Sequence, residues 1–170
     1  MAKQALIIIA KEGFQDKELE GTEAGLKSAG FEITFASTEA GICTGKYGDR
    51  KEANIGLFDV DVEAFDRVAF IGGPGAHALA DNKEAQRIAK EAISLEKVLG
   101  AICIAPTILA KAGVLKGKKA TVSNKDGKPG ELLEAHGAMY TGDPVTVDGL
   151  IVTANGPEAA VEFGKRLAAL

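Results

Sequence analysis

The sequence predicts an α/β domain, a mostly parallel sheet with helices packed on both faces. Three observations predict it. Short apolar runs, led by Ala5-Leu6-Ile7-Ile8-Ile9-Ala10, carry no polar face and suit strands buried on both sides. These runs alternate along the chain with helical patterns, the order that parallel strands require. Glycine is in excess, 21 of 170 residues against a usual share of about 7%. The surplus falls at the ends of the predicted strands, where backbone turns tightly or approaches a ligand.

Gln4–Ala10 is the first strand. Phe14–Ser28 follows as a helix, with Leu19, Thr22 and Leu26 on one stripe and Gly30 stopping it. Phe31–Ser37 is a second strand. Thr44–Asn54 is polar and glycine-bearing, a hairpin or excursion outside the core. Val60–Phe65 is a short helix. Arg67–Ile71 is a third core strand and ends at Gly72-Gly73-Pro74-Gly75. Lys83–Leu95 is an amphipathic helix that turns Ala85, Ile88, Ala89 and Ala92 inward. Lys97–Ile102 is a fourth strand, and Ala105–Ala112 is the helix after it. Ala120–Ser123 is a short element, Leu150–Thr153 a late strand, and Pro157–Leu170 a closing helix with proline in its first turn. No repeat or linker interrupts this order, so residues 1–170 read as a single domain. A chain of this length needs no disulfide or metal to fold.

Composition excludes several functions. Twenty-four acidic against twenty basic residues give a net charge of −4. That argues against nucleic acid and against anionic membrane as partners, since both require a basic face. Aromatic residues are 5% of the chain and tryptophan is absent, so base-stacking platforms are not expected. The longest apolar run near the start is too short for a membrane span or a signal-peptide core, which places the protein in the cytoplasm. Cys43 and Cys103 lack C-x-x-C spacing, and there are two histidines, His77 and His136. Neither a zinc template nor a disulfide framework is expected.

In an open parallel sheet, ligands bind beyond the carboxyl ends of the strands. Three such ends carry unusual residues: Lys11-Glu12-Gly13, Gly72-Gly73-Pro74-Gly75 and Cys103. Ala101 and Ala105 flank Cys103 at two residues on either side, the small neighbours that a strand-to-helix nucleophile elbow requires. A free cysteine is often only a small buried hydrophobe. The small flanks and the nearby glycine turn favour a nucleophile here. A sulfur at a helix N-terminus faces free N–H groups, so its pKa is expected to fall below the ordinary thiol value. The N–H of Ile104 and one from Gly72-Gly73 are candidates to bind an oxyanion. His77 is read either as lining the site or as a surface residue, and His136 as solvated. Cys43 is read as an incidental small residue. Gly21 and Gly25, four apart, give the first helix a smooth face for a second subunit or for packing within the chain.

The stretch Ala101-Ile102-Cys103-Ile104-Ala105-Pro106-Thr107, with Gly72-Gly73 upstream and Asp148-Gly149-Leu150-Ile151-Val152-Thr153-Ala154-Asn155-Gly156-Pro157 downstream, resembles the DJ-1/PfpI (ThiJ) superfamily. The resemblance spans nearly the whole chain. It implies a flavodoxin-like three-layer sandwich and a glutamate from the first helix that reaches the elbow cysteine. Glu18 falls at that position. Spacing alone does not choose Glu18 over Glu12, Asp16 or Glu20. A protonated Glu18, its pKa raised by burial and by the adjacent sulfur, donates a hydrogen bond to a thiolate and later moves a proton. Ile104 stands where many relatives have histidine, which removes a general base for peptide hydrolysis. Ser123 lies near a position occupied by histidine in the DJ-1 branch. Ile71 and Asn155 replace a frequent proline and arginine. The resemblance implies a cofactor-free cysteine enzyme acting on small reactive carbonyls. It would convert 2-oxoaldehydes to 2-hydroxy acids by glyoxalase III or deglycase chemistry, with Gly73 and Ile104 N–H groups as the oxyanion hole and homodimers as the assembly. The alternatives are redox sensing through Cys103 oxidation, a chaperone-like role, and an intracellular cysteine peptidase or amidase.

Overall fold

A computed structural model describes residues 2–170. Its elements in chain order are β1 (Lys3–Ile8), β2 (Glu12–Phe14), α1 (Asp16–Ser28), β3 (Phe31–Ser37), β4 (Gly41–Gly45), β5 (Arg50–Ala53) and β6 (Ile55–Gly56). Next come β7 (Arg67–Phe70), α2 (Lys83–Ser94), β8 (Val98–Ile102), α3 (Pro106–Lys111), β9 (Lys119–Ala120) and α4 (Lys128–Ala135). The chain closes with β10 (Met139–Tyr140), β11 (Val145–Asp148), β12 (Ile151–Ala154) and α5 (Ala160–Ala169).

The main sheet has the order β11-β12-β8-β7-β1-β3-β6. All its pairings are parallel except β11 with β12. Its five long parallel strands, numbered among themselves along the chain, lie in the order 2-1-3-4-5 of a flavodoxin-like doubly wound sheet. The first strand forms because its apolar run feeds two cores at once. Ala5 and Ile7 face one cluster with Leu26, Phe163 and Leu167 of α1 and α5; Leu6 and Ile8 face the other with Ile88 and Ile108 of α2 and α3. Each fully buried Ile or Leu adds about 1.5–3 kcal/mol to folding.

The predicted boundaries shift where local chemistry differs from the apolar pattern. Phe14 is not helical: β2 pairs with β4, and the helix begins after Gln15, whose side chain caps it. The expected hairpin is β4 with β5, an antiparallel pair. Val60–Phe65 is not a helix but holds a single 3₁₀ turn, Val62–Ala64, with another, Leu57–Asp59, just before it. The glycine turn leads into a 3₁₀ segment, Pro74–Asp81, and α4 and β11 are additions that the polar 124–148 stretch did not announce. Among the described residues no helix is long and apolar enough to cross a membrane.

The smooth face of α1 is used inside the chain. A Cβ on Gly21 would meet Ala160, and one on Gly25 would lie 2.6 Å from the Gly164 carbonyl carbon. Helix α5 therefore occupies the face read as a subunit contact, and any contact between two copies needs another surface. Gly25→Ala gains about 1 kcal/mol of helix propensity. It loses more by pushing one helix backbone off another, since overpacking costs about 1–3 kcal/mol and backbone yields least. With backbone meeting backbone the cost lies toward the upper end, and a net loss of up to about 2 kcal/mol is expected in urea unfolding. An unchanged or raised midpoint would show that the two helices separate freely.

Candidate active site

Three segments meet at the carboxyl end of the sheet: the turn after β7, the elbow after β8 and the first turn of α1. Cys103 has φ 65, the left-handed region that non-glycine residues avoid, as expected of a strained elbow. Its N–H donates to the Ala154 carbonyl at 2.8 Å, and its carbonyl accepts the Ser123 N–H at 2.8 Å. Cys103 packs at the seam of both hydrophobic clusters and is half-buried. Gly72 allows this closeness. A Cβ there would lie 2.5 Å from Cys103 Cβ and 2.7 Å from Glu18 Oε1, so the missing methyl lets the two side chains meet. Gly73 has φ 108 and presses against Gly13 and Gln15, again leaving no room for a side chain.

The structure separates the four candidate acids. Glu12 and Glu20 are exposed. Asp16 is buried but turned to the β4–β5 turn, where its carboxylate accepts the Tyr47 and Asp49 N–H groups, each at 3.0 Å. Glu18 is fully buried. Its Oε1 accepts the Gly72 N–H at 3.0 Å. Among the described residues its Oε2 makes no hydrogen bond to nitrogen or oxygen. The polar neighbour left to the carboxyl is the Cys103 thiol. Burial raises Glu18 from 4.5 to about 7, against the opposing pull of Cys103 and the Gly72 N–H.

The expected fall in the cysteine pKa is overturned. Cys103 is pushed up to about 11, first by burial and then by the charge of Glu18. The N–H groups of Gly73 and Ile104 do face the sulfur and pull the other way, but they do not prevail. Helix α3 has six residues and begins three positions later, so its dipole adds little. The resting site is a thiol and a carboxyl coupled through one shared contact, in which Glu18 parts with its proton near neutrality.

An open cleft of about 830 Å³ reaches the neighbours of this pair, though neither Cys103 nor Glu18 stands in its wall. Ser123 and Asn155 line it, each next in sequence or by hydrogen bond to a residue bonded to Cys103. Gln15, Lys17, Tyr47, Asn124, Lys125 and Tyr140 complete much of its wall. Sequence reading missed these six, because they come from the start of α1, the turn after β4, the segment after β9 and the end of β10, far apart in the chain. No sequence signal marked Gln15, which the sequence reading placed inside the first helix rather than at its cap. His77 is corrected: it is exposed on the 3₁₀ segment and does not line the cleft. His136 is exposed, its Nδ1 against the Leu132 carbonyl. The Ile104 side chain is buried in the core. Cys43 is fully buried in β4.

Residues 3–170 match the DJ-1/PfpI family. A Pyrococcus horikoshii protein named as a deglycase is 34% identical over 91% of this chain and 90% of its own length. A Caenorhabditis elegans protein named as a glutathione-independent glyoxalase is 29% identical over 97% of this chain and 87% of its own. The crystal structure of a ThiJ/PfpI domain protein from Brachyspira murdochii superposes with a TM-score of 0.93 at 28% identity, covering 98% of this chain and 94% of that one.

Proposed function

The chain belongs to the DJ-1/PfpI family, and from that premise we propose that it is a cysteine enzyme acting on reactive carbonyls. It converts 2-oxoaldehydes such as methylglyoxal to 2-hydroxy acids such as lactate, without glutathione. The observation that carries this reading is the buried Glu18, raised to about 7, against the half-buried Cys103, whose backbone partner Ser123 lines an open cleft.

The raised thiol sets the order of events. Ionised Glu18 takes the Cys103 proton as sulfur bonds to the aldehyde carbon. The oxyanion forms beside the Gly73 and Ile104 N–H groups and receives the proton back from Glu18, giving a hemithioacetal. Glu18 then removes the hydrogen on that carbon, and the electron pair moves to the neighbouring carbonyl as an enediolate. Glu18 returns the proton to the second carbon while the hydroxyl proton on the first carbon passes to the second carbon's oxygen, which leaves a lactoyl thioester that water hydrolyses to lactate and free Cys103. The sum is methylglyoxal plus water to lactate, with no net redox change.

The peptidase reading lacks an imidazole, since both histidines are exposed and neither lines the cleft. Redox sensing uses the same sulfur but gives no purpose to a cleft of about 830 Å³. The test is lactate formation from methylglyoxal by purified protein. Lactate without added glutathione is expected. No lactate, or lactate only with glutathione, overturns the reading.

A further inference from the structure

Gln15 is an uncommon helix cap. Serine, threonine, aspartate and asparagine fill that place more often, because their short side chains reach the free N–H groups directly. Here Oε1 accepts the Lys17 N–H at 2.8 Å and the Glu18 N–H at 3.1 Å. Gln15 also donates its own N–H to the Gly72 carbonyl at 2.9 Å, which fixes it beside the reacting pair. Two backbone donors at one end of the amide decide which end is oxygen. The other end, Nε2, makes no hydrogen bond among the described residues. Gln15 is 8% exposed, and the cleft is where its remaining surface lies. Nε2 is not among the fully buried unpartnered atoms, so it keeps surface for water, and a ligand acceptor at the cleft takes that water's place.

The charge around this amide favours an anion. Lys17 and Lys125 line the same cleft, and among the described residues neither has a carboxylate within salt-bridge distance. Glu158 is the opposing charge in the wall. The volume is of a size that takes ligands much larger than a three-carbon aldehyde. Methylglyoxal brings no charged group to any of these side chains.

We propose that Gln15 is the specificity-determining residue of the cleft. Its Nε2 donates to an anionic oxygen group, carboxylate or phosphate, on the carbonyl compound that reacts at Cys103. The proposal rests on the reading of Cys103 as nucleophile. Methylglyoxal is then a minimal substrate that fills only the reacting end.

Paired alkylation tests it. Iodoacetate and iodoacetamide react alike: sulfur bonds to the methylene carbon and iodide leaves. They differ in carboxylate against amide, and the ratio of their rates cancels the thiolate fraction. In the native protein the iodoacetate-to-iodoacetamide ratio at Cys103 is expected to exceed that of glutathione by about tenfold. Gln15→Glu keeps acceptors for the Lys17 and Glu18 N–H groups but replaces the donor with an anion. Its ratio is expected to drop about tenfold or more. Lys17→Gln, at an exposed position, is expected to lower the ratio about threefold without affecting folding. A native ratio equal to that of glutathione, or one unchanged by Gln15→Glu, overturns the proposal. Cys103 left unlabelled by both reagents overturns the nucleophile reading and this one with it. In a second arm, lactate and inorganic phosphate compete with iodoacetate. The anion that protects Cys103 at lower concentration identifies the group, and protection by neither overturns the proposal.

Discussion

Cys103→Ala will form no lactate from methylglyoxal, and Glu18→Gln will lose turnover by about 10²–10⁴-fold while its sulfur becomes easier to alkylate. The two effects of the second variant run in opposite directions for one reason. In the proposed reaction Glu18 does two things to Cys103: as an anion it holds the thiol proton on, and as a base it takes that proton away. Glutamine keeps an acceptor for the Gly72 N–H and removes the charge. The charge of Glu18 is the second largest cause of the raised thiol, after burial. Without it the sulfur ionises at lower pH, and iodoacetamide labels it faster at pH 8. Turnover falls because glutamine cannot carry a proton between sulfur, oxygen and carbon. If labelling and turnover fell together in proportion, Glu18 would serve only to activate the sulfur. If neither changed, its burial against Cys103 would be structural.

The second large effect is on stability. Glu18 ionises at about 7 in the folded chain against 4.5 in its ordinary state. The folded state therefore holds this proton more tightly than the unfolded state does. Between pH 4.5 and 7 folding takes up part of a proton, so stability falls as pH rises. The benefit of the protonated form is fully present below pH 4.5 and is lost as pH climbs through about 7. At about 1.4 kcal/mol per pKa unit, the loss across this window is about 3 kcal/mol. Glu18→Gln stays neutral and removes the fall. Urea unfolding at pH 4.5 and pH 8 is expected to show near-equal stabilities at the lower pH and a variant more stable by about 3 kcal/mol at the higher. A variant weaker by the same amount at both values would mean that the carboxyl is not a buried acid in the native fold. In the proposed reaction this group costs stability at working pH, the usual trade of function against stability.

Much of the fold was legible in the sequence, because burial leaves a local record. Ala5–Ala10 could not face water on either side, and the parallel sheet followed from that run and its successors. The elbow was legible too, since small residues at 101 and 105 are the steric condition for the turn that Cys103 makes. The 124–148 stretch was not, because its short strands and α4 are held by partners distant in the chain and have weak patterns of their own.

Spacing did not choose which of Glu12, Asp16, Glu18 and Glu20 meets the sulfur; the family resemblance pointed to Glu18, and the physical reason lies in the tertiary structure. Asp16 and Glu18 are both buried, two residues apart, and point to different neighbours: the Tyr47–Asp49 turn and the Gly72–Cys103 contact. The sign of the cysteine shift was also beyond sequence. A strand-to-helix turn announces N–H groups near the sulfur, but not how much water the surrounding core removes from it. Here desolvation outweighs the dipoles. Sequence determines which groups stand at the end of the sheet, because that depends on the order of residues along the chain. Folding alone determines their charge, because the dielectric around an atom is made by everything packed against it.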